Sequence, residues 1–127
     1  MARVARKKAE PRKKLDTRPA FPSTNYAVVE RILTDFIARE VRRVGLERVV
    51  VGLSGGVDSA VSAALAARAL GPANVLAVMM PYKASSPESL ADARTVAKSL
   101  KVETLVVEIT KQIDAYYAHF PDASDRR

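Results

Sequence analysis

A short turn of serine, glycine and aspartate, Ser54 to Ser59, contains the residues best suited to chemistry in this sequence. Two adjacent glycines, Gly55 and Gly56, let the backbone adopt positive φ angles and let a bulky anion reach main-chain N–H groups. Asp58 or Ser59 can cap the helix predicted to follow, whose first-turn amides and positive dipole end then point at the turn. Phosphate groups bind well at such a position, so we interpret the turn as a phosphate cradle.

The composition excludes several other kinds of site. The lysine-containing phosphate loop G-x-x-x-x-G-K-[ST] and the dinucleotide fingerprint G-x-G-x-x-G are both absent. There is no cysteine, which excludes a disulfide framework, a thiolate metal site and the cysteine nucleophile of a built-in glutaminase. His119 is the only histidine, so a multi-histidine metal site is excluded, and we expect this residue on the surface.

The turn lies between a predicted strand and a predicted helix. The apolar run from about Arg48 to Leu53 contains three valines and is typical of a strand covered on both faces. An alanine-rich helix is expected from about Asp58 to Leu70, narrow enough to pack close to a sheet. Upstream, apolar residues recur every 3.6 residues from Tyr26 to about Val44, which predicts an amphipathic helix that ends at Gly45.

Strands and helices alternate through the rest of the chain. We predict a strand at Val75 to Met80, a helix from the N-cap Ser86 to Leu100, a strand at Glu103 to Ile109 and a last helix capped by Thr110. This order predicts an α/β fold, a doubly wound parallel sheet with helices on both faces. Ligands of such sheets bind beyond the carboxyl ends of the strands, which is where the phosphate cradle lies.

The positive charge is concentrated at the N-terminus. Residues 1–18 hold eight Lys and Arg and two acidic residues, so this segment accounts for nearly all of the net charge of +7. We expect residues 1–22 to form a basic, disordered tail. No apolar run approaches the roughly 20 residues that span a bilayer, and no secretory signal is present. We therefore expect a cytoplasmic protein with neither a membrane nor a nucleic-acid partner.

Three segments of the sequence resemble known enzymes. The string SGGVDS at Ser54 to Ser59 resembles the pyrophosphate loop SGGxDS of the ATP pyrophosphatase (PP-loop) superfamily, which implies an adenine nucleotide alpha hydrolase-like fold. Val78 to Ala93, with its MPY string, serine pair and Asp-Ala, is similar to the segment after the second strand of ammonia-dependent NAD synthetases. Val107 to Phe120, with a terminal Phe120-Pro121 pair, is similar to the third strand and following helix of that family, so the resemblance covers about residues 25–127.

The resemblance implies a reaction and a set of binding residues. Deamido-NAD would be adenylated by ATP and then attacked by ammonia, giving NAD, AMP and pyrophosphate, in a homodimeric ligase without a protein nucleophile. Asp58 matches the Mg²⁺ ligand of the family, although a capping role explains it as well. Met79 is explained equally by a place in the core, and Ser85 by the helix start. The residues implied in ATP binding are Gly52, Leu53, Ser54, Gly55, Gly56, Val57, Asp58, Ser59, Met79 and Ser85.

The family pattern continues beyond the last residue of this sequence. A Gly-Asn-x-x-Ala-Arg-x-Arg segment and a second half, which supplies another metal ligand and most of the deamido-NAD site, would follow Arg127. We therefore expect residues 23–127 to form the N-terminal part of an ATP-binding PP-loop synthetase domain, apparently truncated, and the isolated chain to be inactive. Two alternatives stay open: another PP-loop enzyme, such as a tRNA-modifying thiolase, and a non-catalytic nucleotide-binding module.

Overall fold

The computed structural model describes residues 23–120. The predicted basic tail at 1–22 and the last family-like residues at 121–127 lie outside this part. Helices and strands alternate as the sequence predicts. They are α1 (Tyr26–Arg43), β1 (Val49–Gly52), α2 (Val57–Leu70), β2 (Val75–Met79), α3 (Pro87–Leu100), β3 (Glu103–Val106) and α4 (Thr110–His119), with a short 3₁₀ turn at Pro72–Asn74.

The three strands form a parallel sheet in the order β1-β2-β3, which confirms the predicted parallel arrangement. The register places Val51 opposite Ala77 and Ala77 opposite Thr104. The third strand is shorter than predicted, because β3 ends at Val106. Its direction is nevertheless continued by two further main-chain bonds, in which Val107 N donates to Met79 O over 2.8 Å and Ile109 N donates to Pro81 O over 3.1 Å.

Small side chains bring α2 and α3 close to one face of the sheet. Both helices contact β2 and also contact each other. The largest fully buried side chains are Met79 and Val75, each of which contributes about 1.5–3 kcal/mol by leaving water. Alanine is otherwise the commonest core residue, as the narrow helix predicts. The core consists of Leu53, Ala63, Ala66, Ala67, Val75, Ala77, Met79, Ala93, Ala97 and Val102.

The prediction of helices on both faces, and of a first strand covered on both, differs from what the described residues show. On the face opposite α2 and α3, Val50 is 68% exposed and Leu105 is 48% exposed. The strand order explains the difference. Each new strand is added on the same side of the previous one, in the order β1-β2-β3, and right-handed crossovers then place both connecting helices on the same face of the sheet. Within residues 23–120, this arrangement leaves the opposite face of the sheet open.

The first helix packs on α2 and keeps an exposed apolar side. It ends within one residue of the predicted boundary, and Gly45 follows it with φ +76°. The Glu30 carboxylate forms an ion pair with Arg68 of α2. Ile32 is 60% exposed and Phe36 is 50% exposed, so α2 covers only part of the apolar stripe. No helix in the described part combines the length and the apolar character needed to cross a membrane.

Candidate functional site

The predicted cradle begins at a fixed point on the sheet. Leu53, directly after β1, is 3% exposed, and its N–H donates to Val78 O over 2.9 Å. The chain then leaves the sheet at its carboxyl edge through Ser54, Gly55 and Gly56 and enters α2 at Val57. The turn therefore emerges where ligands of parallel sheets bind.

Two serine hydroxyls fix the shape of this turn. Ser59 Oγ donates to Gly56 O over 2.9 Å and accepts from Ser54 N over 3.2 Å. Because this hydroxyl has a single proton, Ser54 Oγ is the donor in the 3.1 Å contact between the two hydroxyls. Ser54 Oγ also accepts from Gly56 N over 3.3 Å. The two serines thus order the loop from within, a role that was not predicted from the sequence.

Gly55 is required by its backbone conformation and by its neighbour. Its φ is +88°, whereas Gly56 is in an extended conformation with φ −79°, so the expected positive φ occurs at one of the two glycines. A Cβ on Gly55 would lie 2.3 Å from Ser89 O of α3. Real Cβ contacts of that length essentially never occur. Glycine at this position therefore lets the cradle pack against the backbone of the first turn of α3.

The N-terminus of α2 faces the turn without a side-chain cap. Gly56 is its N-cap, which corrects the prediction that Asp58 or Ser59 would occupy this position. Ser59 Oγ is used inside the loop, and Asp58 lies in the first helical turn, where a carboxylate favours the helix dipole. The first-turn amides are thus left without a side-chain acceptor, which is the arrangement that binds anions.

A metal at this position would need ligands from outside the protein. Residues 23–120 contain no group of three or more His, Cys, Asp or Glu side chains placed to hold an ion. Mg²⁺ normally keeps several waters and takes one or two carboxylates together with phosphate oxygens. The exposed Asp58, beside an anion-binding helix end, fits that shell as a single protein ligand.

A cleft of about 210 Å³ lies beside the cradle, between the ends of β1 and β2 and the start of α3. It brings together four of the predicted binding residues from segments that are distant in sequence: Leu53, Ser54, Met79 and Ser85. Its remaining wall combines apolar side chains with two further serines. The cleft is lined by Leu53, Ser54, Met79, Met80, Pro81, Ser85, Ser86, Ser89 and Leu90.

Two neighbouring methionines take opposite positions at the floor of the cleft. Met79 borders it but is 1% exposed, so its side chain belongs to the core. Met80 is 53% exposed, and its Cε lies 3.8 Å from the position of a Cβ on Gly52. Met80 directly follows the last residue of β2, and the alternation of side chains along a strand agrees with its exposure next to the buried Met79.

The start of α3 forms another wall of the cleft. Ser85 Oγ accepts from Tyr82 N over 3.1 Å, and Ser85 N donates to Tyr82 O over 2.8 Å, so this serine closes a tight turn. Ser86 caps α3 as predicted, accepting from Ser89 N over 3.2 Å. Ser86 and Ser89 also line the cleft, within about one helical turn of Ser85, although neither was predicted to bind the nucleotide.

A polar cluster attaches the turn before α3 to α4. Asp114 accepts from Tyr82 OH over 3.1 Å and pairs with Lys83 Nζ at 2.6 Å. The hydrogen bond to Asp114 raises the pKa of Lys83 above its usual value, and the charge of Asp114 adds to it. Thr110 Oγ1 accepts from Lys83 N over 3.0 Å, while Ile109 rather than Thr110 is the N-cap of α4.

His119, at the end of α4, is exposed as expected.

Comparison with known proteins identifies the same family from several directions. The family model described as NAD synthase matches residues 28–127. The chain is 50% identical over 103 residues to the NH(3)-dependent NAD(+) synthetase of Trichlorobacter lovleyi. The matched segment covers 81% of this chain and 38% of that protein. It is 52% identical over 103 residues to the enzyme of the same name from Chlorobium phaeobacteroides, covering 81% of this chain and 37% of the relative.

Solved structures agree with this sequence similarity. The NH3-dependent NAD synthetase of Campylobacter jejuni, solved with a nitrate ion, superposes with a TM-score of 0.70 at 32% identity, covering 83% of this chain and 44% of that one. A glutamine-dependent NAD+ synthetase from Acinetobacter baumannii, solved with ADP, gives a TM-score of 0.73 at 32% identity, covering 91% of this chain and 22% of that one. The chain therefore spans less than half the length of each of these relatives.

Proposed function

This chain belongs to the NAD synthase family, and from that premise we propose that it supplies the ATP-binding part of an ammonia-dependent NAD synthetase. The complete reaction is the adenylation of deamido-NAD by ATP, followed by attack of ammonia to give NAD, AMP and pyrophosphate. The observation that carries the proposal is the cradle itself, a glycine turn with positive φ at Gly55 that leads into an uncapped helix N-terminus. That geometry suits the β- and γ-phosphates, which leave together as pyrophosphate.

The cradle acts by position and electrostatics. Negative charge that develops on the departing pyrophosphate is stabilised by preorganised N–H donors and by the positive end of α2. A protein nucleophile has no role, because the substrate carboxylate attacks the α-phosphate of ATP directly. Mg²⁺, held by Asp58 with water and phosphate oxygens, would add positive charge at the same place. The loop's own serine hydrogen bonds keep the donors in position before the nucleotide arrives.

The adjoining cleft is proposed to receive the adenosine. It adjoins the cradle at Ser54, and its apolar lining suits an aromatic base while its serines suit ribose hydroxyls. Met79 borders the cleft from the core, and the half-exposed Met80 adds a methionine side chain that can contact the base. The proposed nucleotide and metal ligands are Gly52, Leu53, Ser54, Gly55, Gly56, Val57, Asp58, Ser59, Met80 and Ser85, with Met79 supporting the floor from the core.

The proposal assigns the rest of the reaction to sequence outside this chain. Residues 23–127 form the N-terminal part of the synthetase domain, and the sites for deamido-NAD and ammonia are completed elsewhere. We place the enzyme in the cytoplasm as a homodimer, with the exposed apolar side of α1 as a candidate contact surface. The isolated chain is then expected to bind ATP weakly and to form no NAD.

Calorimetric titration of the 127-residue chain with MgATP tests the proposal. We expect measurable binding that pyrophosphate displaces, and a loss of about tenfold or more in Ser59→Ala, because this hydroxyl organises the cradle. The matched control is Ser99→Ala at the other end of α3, whose hydroxyl bonds Val96 O of its own helix. Equal affinity in both variants, or failure of pyrophosphate to compete, would contradict binding at the cradle. NAD formation by the chain alone would contradict the proposal that sequence outside this chain completes the sites for deamido-NAD and ammonia.

A further inference from the structure

The turn that carries Ser85 is held in place by a different helix. Three bonds cross from α4 and its N-cap region to Tyr82 and Lys83, and two of them end on the carboxylate of Asp114. Each oxygen of that carboxylate serves a different residue of the turn, Oδ1 the Tyr82 hydroxyl and Oδ2 the Lys83 ammonium. The main-chain bond from Ile109 N to Pro81 O fixes the same junction. The turn is therefore held at its backbone and at two side chains.

This junction is connected to both walls of the cleft. From Tyr82 the chain closes a turn onto Ser85 and enters α3 at the N-cap Ser86, and both serines line the cleft. One helical turn further, Ser89 O lies against Gly55 of the cradle. A displacement of the turn would therefore move the serine wall, while α3, which packs on α2 and the sheet, keeps Ser89 in contact with the cradle.

We propose that Asp114 is a positioning residue for nucleotide binding, which holds the turn Tyr82–Ser86 against α4 through Tyr82 and Lys83 and thereby sets the adenosine wall of the cleft. The identity of the ligand rests on the proposed function above. The geometry of the attachment does not depend on it. Asp114 lies on α4, outside the lining of the cleft, so the hydrogen bonds to Tyr82 and Lys83 are the means by which it acts on the serine wall.

A solvated surface ion pair is the simpler interpretation of Lys83 and Asp114, and such pairs are usually weak. Two observations favour a positioning role. The Asp114 side chain is 40% exposed, and it receives a second, neutral hydrogen bond from Tyr82 at the same time. The Lys83 backbone N–H is also bound, to Thr110 Oγ1, so the turn stays attached even when the lysine side chain moves. A mobile pair would not require these additional contacts.

The test compares Asp114→Asn with the matched control Asp35→Asn, an exposed carboxylate on α1. Amide hydrogen exchange of the full chain is measured together with the Kd for MgATP and for pyrophosphate. We expect the amides of Lys83 and Ser85 to exchange several-fold faster in Asp114→Asn while those of β1 and β2 keep their protection. If the binding-competent fraction of the turn falls to between a third and a tenth, the Kd for MgATP rises about three- to tenfold. Binding of pyrophosphate, which occupies the cradle alone, stays unchanged.

A second variant separates positioning from general loss of stability. Lys83→Met removes the charged partner from the turn instead of from α4, and the double variant should weaken MgATP binding no more than Asp114→Asn does. Unaltered exchange and affinity in Asp114→Asn would overturn the proposal, as would an equal loss for MgATP and pyrophosphate. If the wild-type chain binds no ATP, the proposed function fails. The exchange of the Lys83 and Ser85 amides then decides the positioning role by itself.

Discussion

Two turns form the proposed nucleotide site, and they are held by different means. The cradle turn at Ser54 to Gly56 takes its shape from its own sequence: a glycine with φ +88° and two serines that bond each other and the local backbone. The turn at Tyr82–Ser86 depends on α4 for its attachment, through Asp114 and Thr110, whose partners in the turn lie 32 and 27 residues earlier in the chain. The comparison shows that one side of a site can be encoded locally while the opposite side depends on tertiary contacts.

The largest expected effect comes from Gly55→Ala, which alters the locally encoded turn. The positive φ costs an L-residue about 1–2 kcal/mol, and the clash with Ser89 O adds about 1–3 kcal/mol. We expect a large loss of thermal stability and loss of detectable MgATP binding. Gly45→Ala is the matched control, because Gly45 also has a positive φ, +76°, but no atom lies within 4 Å of the point that its Cβ would occupy. It should lose only about 1–2 kcal/mol of unfolding free energy and retain binding. Similar behaviour of the two variants would argue against a close-packed cradle.

Substitutions at the two methionines distinguish a position in the core from a position at the floor of the cleft. Met79→Ala should lower the free energy of unfolding by about 2–5 kcal/mol, because its side chain is fully buried. Met80→Ala should change it by less than about 0.5 kcal/mol, since the side chain is half exposed, while weakening MgATP binding. Chemical denaturation and calorimetric titration of both variants measure the contrast. An affinity loss confined to Met79→Ala would place the base contact elsewhere.

Asp58→Asn tests whether the cradle binds nucleotide together with a metal. Removing the first-turn carboxylate should cost stability by only about 0.3–1 kcal/mol through the helix dipole. If Asp58 is the metal ligand, the difference in ATP affinity with and without Mg²⁺ shrinks markedly in the variant. Asp92→Asn on the exposed side of α3 serves as the control. Equal Mg²⁺ dependence in wild type and Asp58→Asn would leave this carboxylate without a metal role.

The smallest expected effect concerns the pH dependence of the tertiary attachment. Because the hydrogen bond to Asp114 raises the pKa of Lys83 above its usual 10.5, the protonated lysine stabilises the folded state. That contribution is complete below pH 10.5 and is lost as the pH rises through the raised pKa in the folded protein. The difference in melting temperature between wild type and Lys83→Met should therefore be constant near neutral pH and disappear in strong alkali. Lys98→Met controls for the loss of a surface lysine, and a difference that grows with pH would contradict the assignment.

Much of the architecture could be predicted because its signals are local. The apolar period gave α1 within one residue, and alternation of strands and helices gave the parallel sheet. The capping residues were harder, since Ser59 and Thr110 could each cap a helix but use their hydroxyls in tertiary or loop bonds. The exposure of Val50 also differed from the prediction. A continuous apolar strand indicates that both faces can be buried, but it does not show which face the helices of residues 23–120 cover.

The amino-acid sequence was enough to predict the cradle, its place at the carboxyl edge of the sheet and the family to which the chain belongs. These follow from short-range chemistry, in which glycine permits a conformation and a helix N-terminus attracts an anion. The tertiary structure was needed to show that Met79 is buried while Met80 is half exposed beside the same cleft, that Gly55 packs on Ser89, and that Asp114 bonds to the opposite turn. Each of those facts depends on segments that are distant in sequence and meet only because the parallel sheet aligns the carboxyl ends of its strands.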